Sequence, residues 1–288
     1  MEIDVKKKQI IEEIDSLPTL PVIMLRILDC IDDPRSSAED LKNIIMNDMA
    51  ISSKVLSLAN SAYYGTVREV TDITRAIIVL GFETIIDVAI SVSLSSILSP
   101  QSNSLNIPVE QLWEHTIAAG ETARLCAMKG FYPYKERAFL MGLIHDVGKV
   151  ALGCFFPSDL NKAIESAQDD DRYIWDTEKE VLGFCHTDTG GWLAEKWKLP
   201  PAFVIPIQFH HLPHKAPKEF QKEAMLTHLA DCIVRRCNIG NSYDDNKDPE
   251  LSPFLNSTLN IKEEDIEELS KEVEGFGEKI KVFMESVL

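Results

Sequence analysis

The sequence predicts an all-α chain folded as a two-lobed helical bundle. Three observations carry that prediction. Apolar residues recur at the three- and four-residue spacing of a helix face almost throughout, and no stretch sustains the period-two alternation of a half-buried strand. A polar break with two prolines, SPQSNSLNIP at 99–108, separates an N-terminal helical region from a second one. The expected organisation is an N-terminal helical lobe over 1–98, a second lobe over 109–240, and a loop with an acidic C-terminal helix over 241–288.

Each element has its own local reason. The opening segment, MEIDVKKKQIIEEID, is charged and amphipathic and lacks the apolar stretch of a secretory signal. Pro18 and Pro21 frame a helix whose Ile23, Ile27 and Ile31 form an apolar seam, and Asp33-Pro34 stops it. Ser36-Ser37-Ala38-Glu39 reads as a capping box for the helix that follows. Further helices are expected over 49–62, 72–80 and 82–98, with Gly65 and Gly81 where C-caps fall. Residues 241–260 are rich in Asn, Asp, Ser and Pro and read as a loop. The tail after them is an amphipathic acidic helix interrupted near Gly275 and Gly277.

Composition narrows the class. With 288 residues and 45% hydrophobic residues the chain can bury a sizeable core. A formal net charge of -17 repels phosphate backbones and anionic lipid, which argues against nucleic-acid and membrane partners. The longest apolar run, IIDVAISVSLSSIL at 85–98, carries Asp87 and is too short to span a bilayer. Six cysteines lie mostly in apolar runs without a CxxC, the pattern of a reduced, cytoplasmic chain.

The chemistry concentrates in the second lobe. All seven histidines lie between His115 and His228, among them His145 beside Asp146 in GLIHDVGKV and His210 beside His211 in IQFHHLP. Imidazoles and carboxylates are the ligands that first-row metals take. No local ligand spacing such as HExxH is present, so a site would need ligands from separate helices, as in bundle-core dinuclear centres. Spacing alone leaves two readings open: hydrogen-bonded core histidines, or converging ligands. Trp113, Trp192 and Trp197 flank these residues and read first as packing between helices, with base stacking the rival. His214 is expected at the surface or a pocket rim. His228, one turn before Asp231, would join the site or support it from behind. Tyr63 and Tyr64 read as helix-end packing residues.

Taken together, these motifs resemble the HDOD domain, the HD-related output domain of bacterial signalling, within the HD superfamily of metal-dependent phosphohydrolases. The resemblance covers residues 15 to about 240. It rests on LPTLPVIMLRIL, LSLANSAYYG and ITRAIIVLGFETI, then on LWEHTIAAG, AFLMGLIHDVGKV, EKEVLGFCHTDTGGWLAEKWKLP and the paired histidines. It implies a metal ligand set of His115, His145, Asp146, His186, His210, His211 and Asp231, nearly complete where many HDOD proteins have lost ligands. It implies divalent ions, two per chain, iron, manganese or another first-row metal. The set also resembles that of the HD-GYP phosphodiesterases, which cleave cyclic di-GMP, and Lys149 matches the lysine of their HDxGK. In an active relative that lysine would offset charge on phosphoryl oxygens; the other reading is a solvated helix-end charge. The chain departs from those enzymes in having LPHKAP after the paired histidines, without GYP, and in placing Gln111 where some relatives carry a third-metal glutamate. The expectation is a non-catalytic signalling protein with protein partners and a possible nucleotide ligand. A metal-dependent phosphohydrolase or cyclic-dinucleotide phosphodiesterase is the alternative.

Overall fold

The structure is a computed structural model that describes residues 2–33, 35–66, 68–102, 108–169, 172–244 and 249–287. Among them there is no strand. The helices are α1 (Glu2–Ser16), α2 (Val22–Asp32), α3 (Ala38–Met46), α4 (Met49–Ala59), α5 (Ile73–Leu80), α6 (Phe82–Ser102), α7 (Val109–Met128), α8 (Lys135–Ile144) and α9 (Val147–Phe155). They continue with α10 (Pro157–Asp169), α11 (Ile174–Leu182), α12 (His186–Lys196), α13 (Pro201–Phe209), α14 (Gln221–Arg236), α15 (Leu255–Leu259), α16 (Glu263–Glu274) and α17 (Gly277–Val287).

Local chemistry places several of these boundaries. The box that opens α3 sits one residue later than the sequence suggested. Ser37 caps the amide of Asp40, and Asp40 rather than Glu39 reaches back to the Ser37 amide at 3.0 Å. Asp48 and Asp72 cap α4 and α5 by accepting from Ile51 and Arg75, contacts worth about 1 kcal/mol each. The expected helix over 49–62 stops at Ala59, and Ala62–Tyr64 form one 3₁₀ turn that ends on Gly65 in the left-handed region. α6 runs on to Ser102, so the start of the expected polar break is helical. Residues 103–107 of that break lie outside the described residues.

The chain divides into two compact units that do not follow chain order. The smaller is Pro18–Ser99 with Gly277–Leu288, and the larger is Met1–Leu17 with Pro100–Phe276. The sequence reading kept residues 1–98 together and set 241–288 apart; the contacts group both ends otherwise. α1 buries Ile10 and Ile14, and its Lys6 donates to Val181 O and pairs with Asp159 in the larger unit. Lys196 of α12 donates to Ile14 O and Asp15 O, carbonyls left open by the end of α1. In the smaller unit α17 packs on α4. There Asn60, of the LSLANSAYYG motif, clamps Val70 from both sides, accepting from its amide at 2.7 Å and donating to its carbonyl at 2.8 Å.

The larger unit is organised by helices buried on nearly all sides, α7 and α14 above all. α7 and α8 approach closely because Gly142 faces bare backbone; a Cβ there would lie 2.5 Å from Ala119 O. α9 and α12 cross still more tightly at Gly148 and Gly190. The stretch Arg137–Phe155 is long and apolar enough to cross a membrane, but 89% of its most apolar window is buried inside the protein, as a core helix is. All six cysteines are free, and burial pushes the Cys126 and Cys185 thiols up to about 12, so they stay protonated and inert.

Candidate metal centre

Helix ends deliver the ligand atoms. The sequence suggested His145 and Asp146 as neighbours on one helix, diverging by about 100 degrees. Instead the helix breaks between them. His145 is the C-cap of α8, and Asp146, at φ -101° and ψ 13°, is the N-cap of α9. The break turns both side chains inward. His186 opens α12, whose N-terminus is set by Asp188 accepting from the Cys185 amide at 3.0 Å. His210 and His211 follow the end of α13. His115 and Asp231 come from the interiors of α7 and α14.

The structure brings these seven residues into one buried cluster. Nε2 of His115 lies 3.2 Å from Asp231 Oδ1, and Nε2 of His145 lies 3.5 Å from Asp146 Oδ2 and 3.8 Å from Asp231 Oδ1. Asp146 Oδ1 stands 3.5 Å from His186 Nε2 and 3.6 Å from His210 Nε2. His186 Nε2 and His211 Nε2 are 2.9 Å apart, a separation that needs a shared proton or cation between the two nitrogens. Asp146 thus faces two groups, His115 with His145 and Asp231, and His186 with His210 and His211.

What surrounds the rings decides which nitrogen is bare. His145 Nδ1 donates to Gly142 O at 2.6 Å, His210 Nδ1 to Ile207 O at 3.0 Å, and His186 Nδ1 to Glu178 Oε2 at 2.7 Å. Each bond leaves an Nε2 lone pair aimed at the cluster. His211 is oriented differently, by stacking on Trp175 at 3.9 Å, with Tyr173 stacked behind at 4.0 Å. The Nε2 atoms of His115, His145 and His210 and Oδ1 of Asp146 are buried without a hydrogen-bond partner. Buried polar atoms are rarely left so, and four converging ones fit a bound cation.

The charges agree. Burial works against an ionised Asp146, but the Lys149 ammonium beside it above all holds its carboxyl far below the usual carboxylate range. Burial likewise opposes ionised Asp231, and His115 and Arg235 overcome it. Burial drives His145 down, and drives His210 and His211 well down, so these rings stay neutral and able to ligate. For His186 burial is outweighed by the Glu178 carboxylate, which raises it. Four buried carboxylates, Asp146, Glu178, Asp231 and Asp244, face two buried cations, Lys149 and Arg235. The excess of negative charge is what a divalent ion would offset.

Lys149 is neither solvated nor free. It is 1% exposed, and its ammonium donates to Asp146 Oδ2 at 2.7 Å and to Asp244 Oδ2 at 3.0 Å. The helix-end reading of this residue is therefore corrected: burial alone would lower Lys149, and the two carboxylates raise it instead. His228 supports the site from behind, donating from Nδ1 to His210 O at 2.7 Å and accepting from the Ser252 amide at Nε2. His214 is exposed against Phe254, and the side chain of Gln111 is exposed as well. Trp113 and Trp197 are buried packing residues, and Trp192 packs on Phe184.

Sequence reasoning passed over Glu178, Asp244 and Trp175. Glu178 had a signal: it shares the α11 stripe of Ile174, Thr177 and Leu182, where a carboxylate needs a partner. Asp244 had none, lying in a polar stretch. Glu178→Gln is expected to weaken metal binding by about 10- to 100-fold while the chain stays folded, because a neutral amide holds the His186 ring less firmly. A metal titration of the variant against the natural chain measures this, and equal affinity would remove Glu178 from the site.

A cavity of about 200 Å³ opens beside the cluster, lined in part by Trp175, His211, Asp231, Arg235 and Pro249. Comparison with known proteins places the fold. Residues 17–213 match the HDOD domain model. An uncharacterized protein of Treponema pallidum (strain Nichols) is 28% identical over 230 residues, 78% of this chain, and the chain spans 44% of that relative's length. A signal-transduction candidate from Marinobacter aquaeolei VT8 superposes with a TM-score of 0.82 at 20% identity, over 100% of this chain and 66% of that one. A phosphohydrolase candidate from Shewanella amazonensis SB2B superposes at 0.71 with 23% identity, over 97% and 98%. At those identities the structures share the fold. With the domain model matched over most of its length, from the prolines before α2 to the paired histidines, the chain belongs to the HDOD domain family.

Proposed function

We propose that this chain is a bacterial, cytoplasmic signal-transduction protein whose larger unit holds divalent metal without using it for hydrolysis, and that it acts by engaging protein partners. The observation that carries the metal reading is the burial, without hydrogen-bond partners, of Nε2 of His115, His145 and His210 and Oδ1 of Asp146 in one cluster, where His210 faces Asp146 Oδ1, His145 faces Asp146 Oδ2 and His115 faces Asp231 Oδ1. His115, His145 and Asp231 would hold one ion and His186, His210 and His211 a second, with Asp146 shared. Bound there, such ions would supply Lewis acidity and fix the ends of α8, α9, α12 and α13 against the interiors of α7 and α14.

Two observations favour a regulatory role over catalysis. The Lys149 ammonium is neutralised between Asp146 and Asp244, which leaves it little charge to offer a phosphoryl group. The adjoining cavity, about 200 Å³, is smaller than the roughly 300–1,000 Å³ of most small-molecule sites. The phosphohydrolase reading is kept by the near-complete ligand set and by the resemblance to the Shewanella fold.

The full chain, purified under reducing conditions and assayed by elemental analysis, is expected to carry about two first-row ions. The loaded protein is expected to leave cyclic di-GMP and a generic phosphodiester intact. No bound metal after reconstitution with Mn²⁺, Fe²⁺ or Co²⁺ would overturn the metal reading, and turnover would overturn the non-catalytic one.

A further inference from the structure

The two halves of the centre are not equal in charge. The His115–His145 half has Asp231 to itself and shares Asp146. The His186–His210–His211 half has three imidazoles and only the shared Asp146. A first-row divalent ion is bound better with a carboxylate among such ligands. We infer that Asp244 supplies it, as an additional protein ligand of the second ion; the inference rests on the metal reading above.

The position fits. Asp244 is 1% exposed, and its Oδ2 lies 3.8 Å from His211 Nε2. Two atoms bound to one ion at about 2.1 Å each lie at most ~4.2 Å apart. Oδ1 is occupied by the Ile174 amide at 3.2 Å, which aims the carboxylate. Oδ2 accepts from Lys149 and keeps a second lone pair. Arg235 donates to the Asp244 carbonyl and anchors the backbone at the same residue.

The segment that carries Asp244 is built to hold it there. Gly240, at φ 66°, lies on α7 at the turn bearing His115, where a Cβ would fall 2.3 Å from the His115 amide nitrogen. Asn241 donates its amide to Gln111 O at 3.0 Å and accepts from the Tyr243 amide at 2.6 Å. Tyr243 takes a left-handed φ of 64°, which costs about 1 kcal/mol for a residue with a Cβ, and its hydroxyl donates to Pro108 O. Backbone strain held by several fastenings is a mark of functional positions. Here it delivers one carboxylate to the half of the site that lacks its own.

The test uses the full chain, Asp244→Asn and Asp244→Cys, with folding checked by circular dichroism. Asp244→Asn is expected to bind one ion as the natural chain does and the other about 10- to 100-fold more weakly, read by Mn²⁺ titration and elemental analysis. Asp244→Cys loaded with Co²⁺ is expected to show a thiolate-to-cobalt charge-transfer band absent from the natural chain. A residue that merely held the segment in place would not produce it. Equal stoichiometry and affinity in Asp244→Asn, or an Asp244→Cys protein that loads cobalt without the band, overturns the inference and leaves the metal reading standing. A natural chain that binds no metal overturns both.

Discussion

Asp146→Ala is expected to release metal from both halves of the centre and to destabilise the larger unit by about 3–5 kcal/mol, the loss typical of breaking a buried ion pair by removing one partner. Asp146 is the carboxylate that both imidazole groups face, so no half keeps its ligand set without it. Its removal also strips Lys149 of its shorter ion pair at a fully buried position, leaving Asp244 as the remaining carboxylate within reach. Asp146→Asn separates the two effects: it keeps the volume and an acceptor for Lys149 but is a poorer ligand for a hard cation. Elemental analysis and denaturant melts read the outcome. The unit formed by 18–99 and 277–288 has its own core and is expected to keep its transition. Metal content and a midpoint equal to the natural chain's would show that Asp146 is not a ligand.

Gly148→Ala adds one methyl group, and its expected effect is nearly as large. The new Cβ would lie 1.9 Å from His186 O and 2.7 Å from the Gly190 amide nitrogen. Those neighbours are backbone atoms and cannot rotate aside, so α9 and α12 must separate. Overpacking costs about 1–3 kcal/mol, and a clash with backbone atoms puts this case at the upper end of that range. The separation also withdraws His186 from Asp146, so metal affinity is expected to fall along with stability. Gly277→Ala is the control: a Cβ there meets nothing within 4 Å. On helix propensity alone it should be neutral or stabilising by up to ~1 kcal/mol. A Gly148→Ala protein as stable as Gly277→Ala would mean that the close crossing at His186 is wrong.

The GLIHDVGKV segment shows how far sequence reading reached. An imidazole beside a carboxylate in an apolar run signals two buried polar groups that need partners, and that was legible. How adjacent residues could both face the cluster was not, because it depends on a helix break that no Pro or Gly at the break announces. Lys149 shows the same limit. One turn after Asp146 it reads equally as a solvated charge, and only the arrival of Asp244 from 95 residues away makes it a buried ion-pair centre.

The sequence alone reached the helical class and several helix boundaries of the N-terminal region, which depend on periodicity, caps and residue type and are therefore local; the family and the seven expected ligands came from the resemblance that the motifs carry. Tertiary structure alone decided that α1 belongs with the larger unit and α17 with the smaller, that Glu178 orients His186, and that Asp244 reaches the site. Those outcomes turn on contacts between segments far apart in the chain. A carboxylate in a polar stretch carries no mark of the ammonium it will meet.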